Sequence, residues 1–191
     1  ALKYGSVIAY IKNYKFQITA LREDINQRGR HTNIVYTDNW EKDAERRDFT
    51  INAIYISANG EIKDYFNGKK HLVENRLQFI GDIELRIKED YLRIVRYYRF
   101  LGLFQKPQLN DTYEKILEKH LLEFFNYVSN DLVRQEILKM LKNPFPRNSF
   151  FSEEQNNIKK KWIRLIKQQF IDTKYELGLN KCLNKIDLLK N

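Results

Sequence analysis

Cysteine is almost missing from this chain. Cys182 stands alone, which excludes an internal disulfide and fits a reducing, cytoplasmic compartment. Histidine is equally thin: His31, His71 and His120 are scattered, with no metal-ligand spacing among them. No apolar run approaches membrane-spanning length and no charged-then-apolar signal opens the chain, so no membrane partner is expected. The three prolines, Pro107, Pro144 and Pro146, fall where they cannot continue a helix. There is no repeat and no low-complexity tract. The chain also begins at Ala1 rather than Met and reads as structure almost at once, as expected of a fragment whose start lies elsewhere.

What is present suffices for a folded core. The 191 residues allow one ordinary domain or two small ones, and an apolar content of 42% with 12 Tyr and 12 Phe argues against wholesale disorder. The net charge of +9 is uneven: residues 1–83 carry 13 Lys/Arg against 11 Asp/Glu, whereas residues 84–191 carry 21 against 14. The second part is therefore the candidate polyanion-facing surface, the plainer alternative being a solvated lysine-rich face.

Periodicity divides the chain in the same place. Ser6–Ile11 and Lys15–Leu21 read as a hairpin about Lys12-Asn13-Tyr14, Arg22–His31 as a charged segment ending in the loop signature Arg28-Gly29-Arg30-His31, and Asn33–Tyr36 as a third strand. A helix is expected from about Trp40 to Arg47, capped by Thr37 or Asp38, with Glu41 closing a capping box. Ala53–Ser57 and Glu61–Phe66 flank the turn Ala58-Asn59-Gly60, and Leu77–Ile80 reads as one more short strand. From Glu84 the period becomes helical, with helices near 84–102, 112–127, 129–142, 153–171 and 173–189. The expected class is α+β: a small mixed sheet with one or two helices, then an all-helical part.

Two stretches carry chemistry. Arg46-Arg47-Asp48-Phe49-Thr50-Ile51-Asn52-Ala53 packs charge beside a β-like run, which suits gripping a phosphate or ribose better than filling a core. In Glu89-Asp90-Tyr91-Leu92-Arg93-Ile94-Val95-Arg96-Tyr97-Tyr98-Arg99-Phe100, helical spacing puts Ile87, Tyr91, Ile94, Val95, Tyr98 and Leu101 in one buried stripe. Arg86, Asp90, Arg93 and Tyr97 fall in a wedge beside it. Asp90 and Arg93, three apart, can present an acceptor and a donor fork to a nucleobase edge, while Arg96 and Arg99 suit a triphosphate or RNA backbone. The plainer reading of Asp90 and Arg93 is a surface ion pair.

Taken together with Asp64-Tyr65-Phe66-Asn67-Gly68, these stretches closely resemble the class II CCA-adding enzyme and bacterial poly(A) polymerase family of tRNA nucleotidyltransferases. The resemblance runs in order from about Lys3 to Asn143. It implies that Arg47, Asp90, Arg93, Arg96 and Arg99 contact ATP or CTP, with Arg46, Asp48 and Asn52 as close support. It also implies that Asp64–Gly68 is a hinge-like connection. Residues 1–83 would be a partial nucleotidyltransferase head, 84–143 a helical neck and 144–191 a partial body facing tRNA. The implied reaction adds AMP or CMP to an RNA 3′ end with Mg2+.

Against that family, the missing parts are specific. Its metal site needs a Gly-Gly loop and an Asp-x-Asp pair holding Mg2+, and this sequence has neither; Asp43/Glu45 and Asp82/Glu84 follow no glycine loop. Gln17, His71 and Leu132 stand where relatives commonly carry glutamate, aspartate and arginine, although Arg134 follows nearby. The chain is therefore expected to be inactive alone and to need a separate polypeptide, or a longer precursor, carrying the catalytic segment. The alternative is a noncatalytic RNA- or nucleotide-binding remnant. The basic amphipathic run Lys159–Lys167 reads as a tRNA phosphate contact or as a solvated helix face, with Trp162 and Phe170 as core residues.

Overall fold

The computed structural model describes residues 5–28 and 31–150. The expected helices at 153–171 and 173–189, the basic run 159–167, Trp162, Phe170 and Cys182 lie outside the described residues, as do Gly29 and Arg30.

Alternating apolar residues about a polar turn give the first hairpin, in which β1 (Ser6–Ile11) pairs antiparallel with β2 (Tyr14–Thr19). Lys12 turns the chain with φ +54°. Val7, Ile8, Tyr10, Ile11, Tyr14, Phe16 and Ile18 are all exposed, and Gln17 lies on the same open hairpin.

The charged segment Arg22–His31, to which the sequence reading assigns no strand, is mostly strand. β3 (Arg22–Arg28) pairs with β4 (His31–Tyr36), with a register shift between Ile25 and Arg28. Residues two apart share one face of a strand, so Arg22 and Asp24 pair with each other at 3.3 Å and neutralise a segment whose polarity hides its strand character.

α1 (Trp40–Glu45) is capped by Asn39, not by Thr37 or Asp38: its Oδ1 accepts the amides of Glu41 at 2.9 Å and Lys42 at 3.2 Å. Thr37 acts one step earlier, its Oγ1 accepting the Asn39 amide at 3.1 Å. A 3-10 turn at Thr50–Asn52 leads to the short hairpin of β5 (Ile54–Ile56) and β6 (Ile62–Asp64).

α2 (Gly68–Val73) then starts on the Asp64 carboxylate, which accepts the amides of Gly68 at 2.8 Å and Lys69 at 2.9 Å. A side chain at position 68 would run into the Thr50 carbonyl, so glycine there is a requirement of packing. The strand expected at Leu77–Ile80 forms only a bridge, Phe49 to Phe79. It is flanked by Thr50 N–H to the Gln78 carbonyl (3.0 Å) and Ile80 N–H to the Asp48 carbonyl (3.1 Å).

The continuous helix expected at 84–102 is broken. α3 (Ile83–Glu89) ends at Asp90, whose backbone is extended at φ −152°, and α4 (Leu92–Leu101) starts afresh. The Asp90 carboxylate accepts the Leu92 amide at 3.0 Å, the local competition for backbone donors that makes aspartate a poor interior helix residue. α5 (Asp111–Tyr127) and α6 (Asn130–Met140) follow as expected, and a 3-10 turn at Pro146–Ser149 packs back on α4.

One core joins the two parts. Phe49, Leu77 and Phe79 pack with Ile87, Ile94, Val95, Tyr98 and Leu101 and with residues of α5 and α6. Phe49 and Phe79 meet at 4.7 Å between ring centroids, and Phe79 stacks on Tyr97 at 6.0 Å. Each such ring removed from water contributes roughly 1.5–3 kcal/mol, so the Arg-Arg-Asp turn is anchored by the residue that follows it.

Candidate functional site

Helical spacing builds the first half of the site. Arg46 and Arg47 follow Asp43 by three and four residues, so all three side chains meet at the end of α1. Asp43 is fully buried. Its Oδ1 accepts Arg46 Nη2 (2.6 Å), Arg46 Nε (2.9 Å) and the Arg22 amide (3.1 Å). Its Oδ2 accepts the Tyr55 hydroxyl (2.8 Å) and Arg47 Nη2 (2.9 Å). Burial pushes the Asp43 carboxyl up, but the hydrogen bonds from Arg47, Arg46, Tyr55 and the Arg22 amide outweigh it and hold its pKa at about 2. Burial, and then Asp43, push the Tyr55 hydroxyl up to about 12.

The two arginines differ. Arg46 also donates to the Arg22 carbonyl at 3.1 Å and is turned inward. The Arg47 side chain is 37% exposed, and its Nε is buried with no partner.

Asp48 organises the second cluster. Its Oδ1 accepts the Phe49 amide and Asn52 Nδ2, both at 2.9 Å, and its Oδ2 accepts Arg96 Nε at 2.6 Å. Burial raises its pKa, yet the charge and hydrogen bond of Arg96 bring it below the ordinary carboxylate value. The fold thus brings Asp48, Asn52 and Arg96 together across 48 residues of sequence.

The third cluster sits on α3 and the start of α4. Glu89 Oε2 accepts both Arg86 Nη1 (2.7 Å) and Arg93 Nη1 (2.5 Å), and Arg93 donates again to the Arg86 carbonyl at 2.8 Å. Arg86 reaches back to the end of α1, donating Nη2 to the carbonyls of Glu45 (3.2 Å) and Arg47. The wedge expected to flank the buried stripe is itself largely inside: Arg86, Arg93 and Tyr97 are buried, and Asp90 is partly so. Arg99 departs from the group. Its Nε pairs with buried Glu136 of α6 at 2.8 Å, and its guanidinium lies 4.3 Å from the Phe100 ring centre.

The residues to which sequence reasoning gave no place in the site are the carboxylate acceptors Asp43, Glu89 and Glu136, the hydroxyl donor Tyr55 and the strut Arg86. For Asp43 and Glu89 the signal was there, since each stands three or four residues from two arginines at helical spacing. Tyr55 and Glu136 arrive through tertiary contact and leave no local trace. His71 turns inward and shares a hydrogen bond with Thr50 Oγ1 at 2.8 Å; burial, then Arg76, lower its pKa.

Among the described residues no group of three or more His, Cys, Asp or Glu could hold a metal ion. Both oxygens of Asp43 are already taken by protein donors, so the residues at hand do not fit a Mg2+ site. No helix among the described residues is long and apolar enough to cross a membrane.

Comparison with known proteins gives concordant likenesses. Residues 2–78 match the poly A polymerase head domain. The human mitochondrial CCA tRNA nucleotidyltransferase 1 is 44% identical over 119 residues, covering 61% of this chain and 27% of the human protein. A CCA-adding enzyme of Lactobacillus helveticus is 30% identical over 151 residues, covering 78% of this chain and 37% of that enzyme. The crystal structure of a Bacillus stearothermophilus CCA-adding enzyme in complex with CTP superposes with a TM-score of 0.68 at 26% identity, over 78% of this chain and 36% of that one. The chain spans between about a quarter and two-fifths of the length of these relatives.

Proposed function

From kinship with the CCA-adding/poly(A) polymerase family, we propose that this chain is the nucleotide-gripping part of an RNA 3′-end nucleotidyltransferase. Residues 1–83 serve as a partial head, 84–143 as the neck and 144–191 as part of a tRNA-facing body. The reaction is attack of an RNA 3′-hydroxyl on the α-phosphorus of ATP or CTP: a 3′-oxygen–phosphorus bond forms, the bond to the β-phosphate oxygen breaks, and pyrophosphate leaves.

One observation carries the reading. Arg86 ties the carbonyl of Arg47 to the Glu89–Arg93 pair, so the residues that would hold the sugar-phosphate and the base share a single hydrogen-bonded network. In this reading Arg47, with donors to spare, takes ribose and phosphate. Asp90 and Arg93 read the base, and Arg93 comes to it already oriented by Glu89. Arg96 and Arg99 contribute positive field near the phosphates while paired to Asp48 and Glu136. Arg46, Asp48 and Asn52 hold the turn.

Mg2+ would neutralise the triphosphate and activate the hydroxyl, and its ligands are assigned to a segment other than the described residues. The exposed apolar hairpin of β1 and β2 supports that division, because an open, hydrophobic two-stranded sheet is suited to pairing with further strands. The single cysteine supports a cytoplasmic setting.

The test is extension of tRNA with labelled ATP or CTP and Mg2+, with and without a polypeptide carrying the Gly-Gly loop and the Asp-x-Asp pair. Label is expected in RNA only in the mixture. Failure of the mixture to extend RNA would overturn the enzymatic reading; nucleotide binding without extension would favour the noncatalytic remnant, the reading that the missing Asp-x-Asp pair supports.

A further inference from the structure

We propose that Asp43 is a positioning residue for the nucleotide site, acting through Arg47; this deepens the nucleotide-binding reading above and rests on it.

Asp43 cannot itself touch a ligand, since it has no exposed surface. A buried carboxylate is tolerated only when its lone pairs are filled, and here five donor groups from four residues fill them. Those residues lie at the start of β3, in the turn after α1 and on β5, so the carboxylate fixes the turn relative to two strands. Stability alone does not require an ion-paired cluster here, because replacing all its members by apolar side chains of similar volume is often neutral, whereas removing Asp43 alone leaves Arg46 and Arg47 without their carboxylate.

What the charge adds is orientation. A guanidinium has five N–H donors in a rigid fork. Arg46 spends Nε and Nη2 on Asp43, and Nε again on the Arg22 carbonyl. Arg47 gives Asp43 a single hydrogen bond, from Nη2, while its Nε stays buried and unpartnered and more than a third of the side chain is open to solvent. Two guanidinium groups on one carboxylate also leave one positive charge in excess. The fork of Arg47 is thus held on its inner side by Asp43 and the Tyr55 hydroxyl while more than a third of the side chain stays open and charged, the preorganisation that a phosphate or ribose contact needs.

Arg47 would meet the part of the ligand common to ATP and CTP, so disturbing Asp43 must weaken both alike. The experiment is titration of the full chain with ATP and with CTP in four forms: wild type, Asp43→Asn, Arg47→Ala and the double variant, each with a thermal melt. Asp43→Asn is expected to weaken both nucleotides by the same factor, roughly tenfold. In the Arg47→Ala background it should change neither affinity, while lowering Tm in both backgrounds. Unchanged affinity in Asp43→Asn, or an equal loss with Arg47 absent, would overturn the positioning role and leave nucleotide binding standing. Binding of neither nucleotide by the wild type would overturn both. Should Asp43→Asn not fold, the side-chain 15N signals of the wild type decide: the Arg47 Nε resonance must move on adding nucleotide, and one that stays still would overturn the proposal.

Discussion

Asp43 and Asp48 show how two buried carboxylates keep a turn rich in positive charge in one conformation. Their pKa values make a prediction with a definite sign. The Asp43 carboxyl titrates at about 2 in the fold, against an ordinary value of about 3.9. A depressed carboxyl stabilises the fold above its unfolded pKa and loses that contribution as pH falls through the folded value. The stability gap between wild type and Asp43→Asn, followed by urea unfolding, should therefore be constant above about pH 4 and close between about pH 4 and pH 2. A gap that persists unchanged below pH 2 would contradict the assignment. At this scale the sequence disclosed the donors better than their acceptors. Arg46, Arg47, Arg93 and Arg96 announced themselves by clustering. The acceptors Asp43 and Glu89 are only implied by helical spacing, and the acceptor Glu136, like the donor Tyr55, is recruited from another element by the fold.

Among the elements, the hairpins and the helices of the second half were legible because alternation and helical period are directly visible in hydrophobicity. Two elements were not. β3 is too polar to show alternation, and it becomes a strand because Arg22 and Asp24 neutralise one another on one face while β4 supplies the ladder. The break at Asp90 was hidden for the opposite reason: the buried stripe from Ile87 to Leu101 keeps its spacing across it, so the hydrophobic pattern reads straight through a non-helical residue. The junction of β6 and α2 carries its own prediction. A methyl group at Gly68 meets the Thr50 carbonyl and the Ile54 side chain, so Gly68→Ala should cost about 1–3 kcal/mol in a urea or thermal unfolding measurement. A neutral result would mean that the Asp64–Gly68 connection is looser than its two amide hydrogen bonds suggest.

For the molecule as a whole, the sheet-containing part and the helical part share one hydrophobic core, and the polar ties between them among the described residues include Arg86 to the end of α1 and Asp48 to Arg96. A ligand held by both parts would therefore meet a preformed frame. In the proposed reading that frame, rather than the charge of +9 alone, would distinguish nucleotide recognition from nonspecific attraction of polyanions. The decisive measurement is equilibrium competition among ATP, CTP, GTP and UTP for the isolated chain, wild type against Arg93→Ala. The account predicts that ATP and CTP bind in preference to GTP and UTP, and that Arg93→Ala erases the preference while leaving residual triphosphate binding through Arg47. Equal binding of all four nucleotides by the wild type, or binding of none, would contradict it.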